Sequence, residues 1–294
     1  MPGHDRVAIV TVTYSSADDI AAFLESATDA GAVAMTVVAD NPSPDSDRTL
    51  AIARAVGATV VALPENVGYG GAVNAAVAQL PPDVDYVLVS NPDVQLQPGA
   101  VDILVQVARS DPRIGVVGPK ILNPDGTVYP SGRRIPSLRT GVGHALFSRV
   151  WPRNPWSRSY RQESESTDEA RDVGWLSGSC FLIRRTAFEQ VGGFDPRYFM
   201  YFEDVDLGYR LGKAGWVNRY TPAAAATHVG GRSTAGVRPQ MLRAHHRSAD
   251  RFLSSKYPGW YLAPLRASLH LGLEIRARWL TRGLVVPQAS NEDK

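Results

Sequence analysis

The chain has 294 residues, 44% of them hydrophobic and 20% charged, enough apolar content for one large domain or two small ones; a disordered chain is excluded. Its 31 Lys and Arg against 29 Asp and Glu leave a formal charge of +2, so a strongly basic nucleic-acid binder is excluded too. That near-neutral total is polarised: residues 1–130 carry 6 basic and 15 acidic residues, net −9, while residues 131–294 carry 25 and 14, net +11.

Along the first 130 residues, strand-like runs at 7–12, 35–39, 59–63, 86–90 and 115–117 alternate with helical stretches at 17–30, 47–56, 71–80 and 98–110. The strands are short, β-branched and free of polar alternation, as strands covered by helices on both faces are. This rhythm predicts an α/β fold with a doubly wound, mostly parallel sheet, and ligands beyond the carboxyl ends of its strands. Residues 125–172, rich in Pro, Arg, Trp and Ser and holding WPRNPW at 151–156, read as an insertion over the sheet. Sheet-like order is expected again at 175–184, a helix at 205–214 and a strand at 218–220.

Several polar residues fall where such a sheet places its ligands. The turn after the first strand, Thr13-Tyr14-Ser15, has no glycine, which argues against a dinucleotide oxidoreductase. Gly68-Tyr-Gly-Gly71 opens a helix and reads either as a tight turn or as a nucleotide-sugar contact. Asp40-Asn41 ends the second strand, as an Asx turn or as an acceptor for the imide N–H of a pyrimidine. Asn91-Pro92-Asp93 ends the fourth, as a helix cap or as a carboxylate holding Mg²⁺ or Mn²⁺ beside phosphate oxygens. Glu203-Asp204-Val205-Asp206 opens a helix, and three carboxylates in four positions exceed what capping needs, so one of them is a candidate general base. His228 reads as a surface histidine or a metal ligand.

Taken together and in this order, TVTYSS at 11–16, ADN at 39–41, ENVGYGGAVN at 65–74, SNPDV at 90–94, GWLSGSCFLIRR at 174–185 and GGFDPRYFMYFEDVDLGYRLGKAGW at 192–216, with His228 and Ser233-Thr234, resemble the family 2 inverting glycosyltransferases. The resemblance spans nearly the whole chain and implies their GT-A-type nucleotide-diphospho-sugar fold. Within the family, WPRNPW, YRQE at 160–163 and GWLSGSC at 174–180 look most like actinobacterial rhamnosyltransferases that move L-rhamnose from dTDP-L-rhamnose to N-acetylglucosaminyl-diphospho-decaprenol, in the linker between peptidoglycan and arabinogalactan. Carried over residue by residue, it implies Thr13, Tyr14, Asp40, Asn66, Gly68 and Asn91 for the donor nucleotide sugar. Asp93 would be the metal carboxylate, Asp204 the catalytic base with Glu203 beside it, and Trp175, Ser177 and Gly178 would face the acceptor. The family's Asp-x-Asp is here Asn91-Pro92-Asp93, which lacks the first acidic ligand and makes His228 the candidate second one. Another nucleotide sugar or glycan acceptor, and a non-catalytic nucleotide- or lipid-binding assembly partner, are the competing readings.

On this reading residues 1–235 form the catalytic domain, with a nucleotide-sugar half at 1–125 and an acceptor half at 126–235 that contains the insertion 130–172. Residues 236–294 form a basic helical region. From Pro258 onward Arg266, His270, Glu274, Arg278 and Arg282 recur every fourth residue beside Leu265, Leu269, Leu273 and Ala277, an amphipathic helix that either packs on the domain or lies on an anionic membrane surface with Trp260, Tyr261 and Trp279 near the headgroups. The lone Cys180, the absence of a signal-like start in MPGHDRVAIV and the lack of a long apolar run lead us to expect a cytoplasmic protein, peripheral on the inner face of the plasma membrane. The sequence neither requires nor excludes a homo-oligomer.

Overall fold

The computed structural model describes residues 5–137, 168–230, 238–264, 266–268 and 271. WPRNPW, YRQE, Ser233-Thr234 and most of the C-terminal amphipathic pattern lie outside them.

The strand β1 (Val7–Thr13) lies inside the sheet, with β2 (Met35–Asp40) and then β3 (Thr59–Ala62) parallel on one side and β4 (Tyr86–Ser90) parallel on the other. The intervening helices are α1 (Ile20–Thr28), α2 (Ser46–Ala55) and α3 (Gly68–Val77). Beyond β4 the chain forms β5 (Val94–Leu96), α4 (Ala100–Ser110), β6 (Ile114–Leu122), β7 (Val128–Tyr129) and β8 (Gly132–Arg133). After residue 168 follow β9 (Arg171–Val173), β10 (Trp175–Leu176), β11 (Cys180–Arg184), α5 (Arg185–Gln190), α6 (Glu203–Lys213) and β12 (Val217–His228). The sheet order is β3-β2-β1-β4-β11-β6-β12-β5, with β7 on β6 and β9 on β12, and β8 and β10 form a separate ribbon. β11 is antiparallel to both β4 and β6, whereas β12 runs parallel to β6.

The lack of alternation in β1 has a direct cause. Val7 and Ile9 enter the core layer with Phe23, Leu24 and Leu104, while Ala8, Val10 and Val12 enter the opposite layer with Val73, Phe181 and Phe194. Both faces are dry, so both sets of positions are apolar.

Several elements differ from expectation. α3 starts at Gly68 rather than 71, because Gly68 adopts φ +77 and a Cβ there would run into the Phe199 carbonyl. β12 spans Val217–His228 rather than three residues, since pairing with β6 and β5 draws the alanine run 223–226 into the sheet despite its weak strand preference. The expected strand at 175–184 is interrupted at Ser177–Ser179, residues that enter the site described below.

The chain divides into two compact units, residues 1–199 with 203–230, and residues 200–202 with 231–294. In the second, α7 (Arg238–Lys256) packs on the short 200–202 segment: the Phe202 ring lies 5.8 Å from Phe252 and 5.3 Å from His245, and the Ser248 hydroxyl donates to the Met200 carbonyl at 2.8 Å.

Candidate active site

At the carboxyl ends of β1 and β2, Thr13 and Asp40 are register neighbours, and the Thr13 hydroxyl donates to Asp40 Oδ1 at 2.6 Å. Asp40 is buried and this bond orients its carboxylate; Tyr14, next in the chain, is 44% exposed. The turn into α3 is tied to the same strand end. Asn41 Oδ1 accepts from Val67 N at 3.0 Å, and Asn66 Oδ1 accepts from Gly68 N at 3.0 Å. Asn41 therefore ties the end of β2 to the turn that opens α3.

Asp93 sits just before β5. The β5–β12 ladder pairs Val94 with His228, and Val229 N donates to the Asp93 carbonyl at 2.9 Å. His228 Nε2 thereby comes within 3.0 Å of Asp93 Oδ1, and both side chains remain partly open to solvent. One hard oxygen and one imidazole nitrogen suit Mn²⁺ or Mg²⁺ provided that water and phosphate oxygens complete the shell. Among the described residues no group of three or more His, Cys, Asp or Glu is placed to hold a metal by itself.

Ser177-Gly178-Ser179 joins this region to the helix α6. Asn91 N donates to the Ser179 carbonyl at 2.9 Å, and Gly178 N donates to Asp204 Oδ2 at 2.9 Å. Tyr69, from α3, donates its hydroxyl to the Gly178 carbonyl at 2.6 Å, so Gly178 is held from both sides. Ser177 is buried with its hydroxyl 3.0 Å from that of Ser179, and Trp175 Nε1 donates to the Arg134 carbonyl at 3.0 Å. Tyr69 lies inside the Gly68–Gly71 motif, but the sequence assigns it no role of its own; its signal is a polar-tipped ring among small residues.

The acidic cluster of α6 separates into three roles. Asp206 is buried and ion-paired with Arg210 at 2.6 Å, whose other arm donates to the Val191 carbonyl, so it fixes the preceding loop. Glu203 is buried and its Oε2 has no partner among the described residues; burial first, and Asp204 second, push its carboxyl up to about 8. Asp204 keeps a partly open carboxylate whose oxygens each accept one backbone N–H, from Gly178 and, at 2.8 Å, from Val205. Burial raises its carboxyl, while those N–H groups and the Arg133 charge oppose the rise. Burial thus favours the neutral form of Glu203, while the two backbone N–H groups and Arg133 favour the charged form of Asp204, an arrangement that avoids two adjacent buried charges. Tyr201 and Phe202, both with φ near +67, turn the chain immediately before this pair; left-handed backbone at two non-glycine residues is costly and concentrates at functional sites.

The protonated state of Glu203 has a consequence for stability. Its carboxyl titrates near the ordinary 4.5 when unfolded and near 8 when folded, so the stabilisation it offers is complete below 4.5 and is lost as pH rises to about 8. Glu203→Gln is expected to match the wild type in melting temperature at pH 5 and exceed it at pH 8.5, by about 2–4 °C for each kcal/mol recovered. Calorimetry across that range checks it; a gap that is constant with pH would contradict the assignment.

A mostly parallel, doubly wound sheet with carboxylates at its strand ends and at the start of α6 is the architecture of a nucleotide-sugar transferase with a GT-A fold. Residues 2–246 match glycosyltransferase like family 2, and the chain belongs to that family. It is 46% identical to the N-acetylglucosaminyl-diphospho-decaprenol L-rhamnosyltransferase of Mycobacterium tuberculosis (strain ATCC 25618 / H37Rv) over 288 residues, 95% of this chain and 94% of that one. It is 40% identical to the rhamnosyltransferase WbbL of Escherichia coli (strain K12) over 84 residues, 29% of this chain and 32% of that one. Among solved structures, the mannosyltransferase PcManGT from Pyrobaculum calidifontis in complex with GDP-Man and Mn²⁺ superposes with a TM-score of 0.58 at 15% identity, covering 97% of this chain and 77% of that one.

Proposed function

We propose that this glycosyltransferase moves L-rhamnose from dTDP-L-rhamnose to N-acetylglucosaminyl-diphospho-polyprenol, with inversion at the anomeric carbon, as a step in cell-wall linker synthesis. The observation that carries this reading is the identity to the mycobacterial rhamnosyltransferase over nearly the full length of both chains. Thr13, Tyr14, Asp40 and Asn66 hold the nucleotide end, with Gly68 and Asn91 shaping the turns around the sugar diphosphate. Asp204 takes the proton of the acceptor hydroxyl as its oxygen attacks opposite the leaving diphosphate, in one displacement with no glycosyl-enzyme intermediate. Glu203 stays neutral beside it, and Trp175 and the 177–178 turn border the acceptor.

Asp93 and His228 fit a divalent cation, Mg²⁺ or Mn²⁺, which when bound neutralises charge on the departing nucleotide diphosphate. The experiment is turnover of dTDP-L-rhamnose on a short-chain N-acetylglucosaminyl-diphospho-lipid with Mg²⁺ or Mn²⁺ present. A rhamnosylated lipid of inverted configuration supports the reading. Transfer only from UDP- or GDP-sugars would replace the donor.

A lipid-linked acceptor calls for contact with a membrane, and no described helix is long and apolar enough to cross one. In the second unit, Arg266 NH1 donates to the carbonyls of Tyr257 and Gly259, both at 2.7 Å, and so closes a turn on which Trp260 is 86% and Tyr261 68% exposed. Two exposed amphipathic rings with Arg247 and Arg251 exposed on α7 suit an anionic headgroup layer. Trp260→Ala/Tyr261→Ala is expected to lower co-flotation with phosphatidylglycerol liposomes about 10-fold while leaving the melting temperature unchanged. Undiminished flotation would remove this turn from the membrane contact.

A further inference from the structure

Arg133 closes the β8–β10 ribbon, where it pairs with Trp175. Its guanidinium lies 5.2 Å from the centre of the Tyr129 ring and 5.4 Å from that of Trp175, and its Nε donates to the Pro130 carbonyl at 2.7 Å. These three contacts hold the plane of a half-buried cation, yet its NH1 and NH2 groups have no hydrogen-bond acceptor among the described residues. Other partly buried arginines of the same unit are satisfied: Arg184 by the Ala108 carbonyl, Arg210 by Asp206 and Arg219 by Asp172. A guanidinium fixed by aromatic stacking, whose two outer donor groups meet no acceptor among the described residues, is a preorganised receptor for an oxyanion.

Its position selects which oxyanion. β10 ends two residues before Gly178, whose N–H donates to Asp204, and the Arg133 charge itself acts on that carboxylate. The ribbon packs on α6 and β12, with Gly208 against Trp175 and Gly132 against Tyr220. The donor residues Thr13, Asp40 and Asn66 instead belong to the β1–β3 side of the sheet, across β4 and β11. An acceptor sugar with its hydroxyl at Asp204 and a diphosphate on its anomeric carbon carries that diphosphate about one sugar ring from the base. We propose that Arg133 binds the diphosphate of the lipid-linked acceptor, and so selects acceptors that carry one; this rests on the acceptor reading above.

The test compares full-length wild type with Arg133→Gln on two acceptors, a short-chain N-acetylglucosaminyl-diphospho-lipid and an alkyl N-acetylglucosaminide without phosphate. Loss of a charge-assisted fork to phosphate is expected to raise KM for the diphospho acceptor about 10- to 100-fold, with KM for dTDP-L-rhamnose within about two-fold of wild type. The alkyl glycoside, read as substrate or as competitive inhibitor, keeps the same KM or Ki with both proteins. Arg133→Lys, which keeps the charge without the planar fork, recovers part of the affinity and keeps the test decisive where the glutamine variant does not fold. Equal losses on both acceptors, or a raised donor KM, would overturn the assignment, the latter by giving Arg133 to the donor diphosphate. Wild-type turnover of the diphospho acceptor with Arg133→Gln unaltered sinks the assignment alone; no wild-type turnover sinks the acceptor reading and the assignment with it.

Discussion

Replacing Asp204 with Asn is expected to lower turnover about 10³-fold or more, within the range that a positioned general base contributes, while dTDP binding stays within about two-fold of wild type. The reasoning is geometric. Of the three acids that open α6, Asp206 is consumed by Arg210 and Glu203 is buried with its carboxyl pushed up to about 8, which leaves Asp204, partly open and held by two backbone N–H groups, as the carboxylate placed to take a proton. Asn keeps the shape but cannot accept a proton. Its amide also places an NH₂ group against either Gly178 N or Val205 N, so a stability loss of about 1–2 kcal/mol accompanies the change. Nucleotide titration separates the two effects: a folded variant that binds dTDP and does not transfer rhamnose has lost the base alone. Substantial residual turnover would move the proton acceptor elsewhere, with Glu203 first to be tested.

Much of this site is readable from the sequence, for a specific reason. Asp40, Asp93 and Asp204 stand where a doubly wound sheet puts its ligands, at strand ends and a helix start, and the strands before Asp40 and Asp93 are apolar runs. The strands β1, β2 and β4 are equally legible because both of their faces are buried. What escapes are features set by pairing between distant segments. β11 inserts antiparallel between β4 and β6 through a register that matches Cys180 with Ser90, and nothing in CFLIR states its direction. Tyr69 meets Gly178 from 109 positions away, and Arg133 gains its meaning only when β8 pairs with β10. The start of α3 was misplaced by three residues because GYGGAVNAAV, made of small side chains, has little helical periodicity, whereas the Gly68 turn that fixes it depends on Phe199.

The polarised charge of the chain also takes on a structural meaning through these residues. The acidic first 130 residues include Asp40 and Asp93, which under the proposed function border the donor, where a divalent cation would offset the negative charge of the nucleotide diphosphate. Under the proposed function, Arg133, Arg247 and Arg251 of the basic remainder would meet groups of the opposite sign, an acceptor diphosphate and an anionic bilayer.

Asp93→Ala is expected to remove metal-dependent donor binding, with the affinity for dTDP in Mn²⁺ falling about 100-fold to the value measured in EDTA, and kcat/KM falling by at least as much. The ladder between β5 and β12 aligns Asp93 and His228 to 3.0 Å, so a cation held by this pair would need no backbone rearrangement. With Asp93 gone, a single imidazole nitrogen is a poor site for a hard cation, which prefers oxygen. His228→Ala leaves the carboxylate in place and should therefore cost less, about 10-fold, and more in Mn²⁺ than in Mg²⁺, because nitrogen contributes more to the softer ion. Titration calorimetry of dTDP with each metal and with EDTA separates the contributions without reference to turnover. A variant lacking Asp93 that retains full metal dependence would place the cation elsewhere, and the missing first acid of the Asn91-Pro92-Asp93 motif would then mean that this chain has moved its metal site rather than trimmed it.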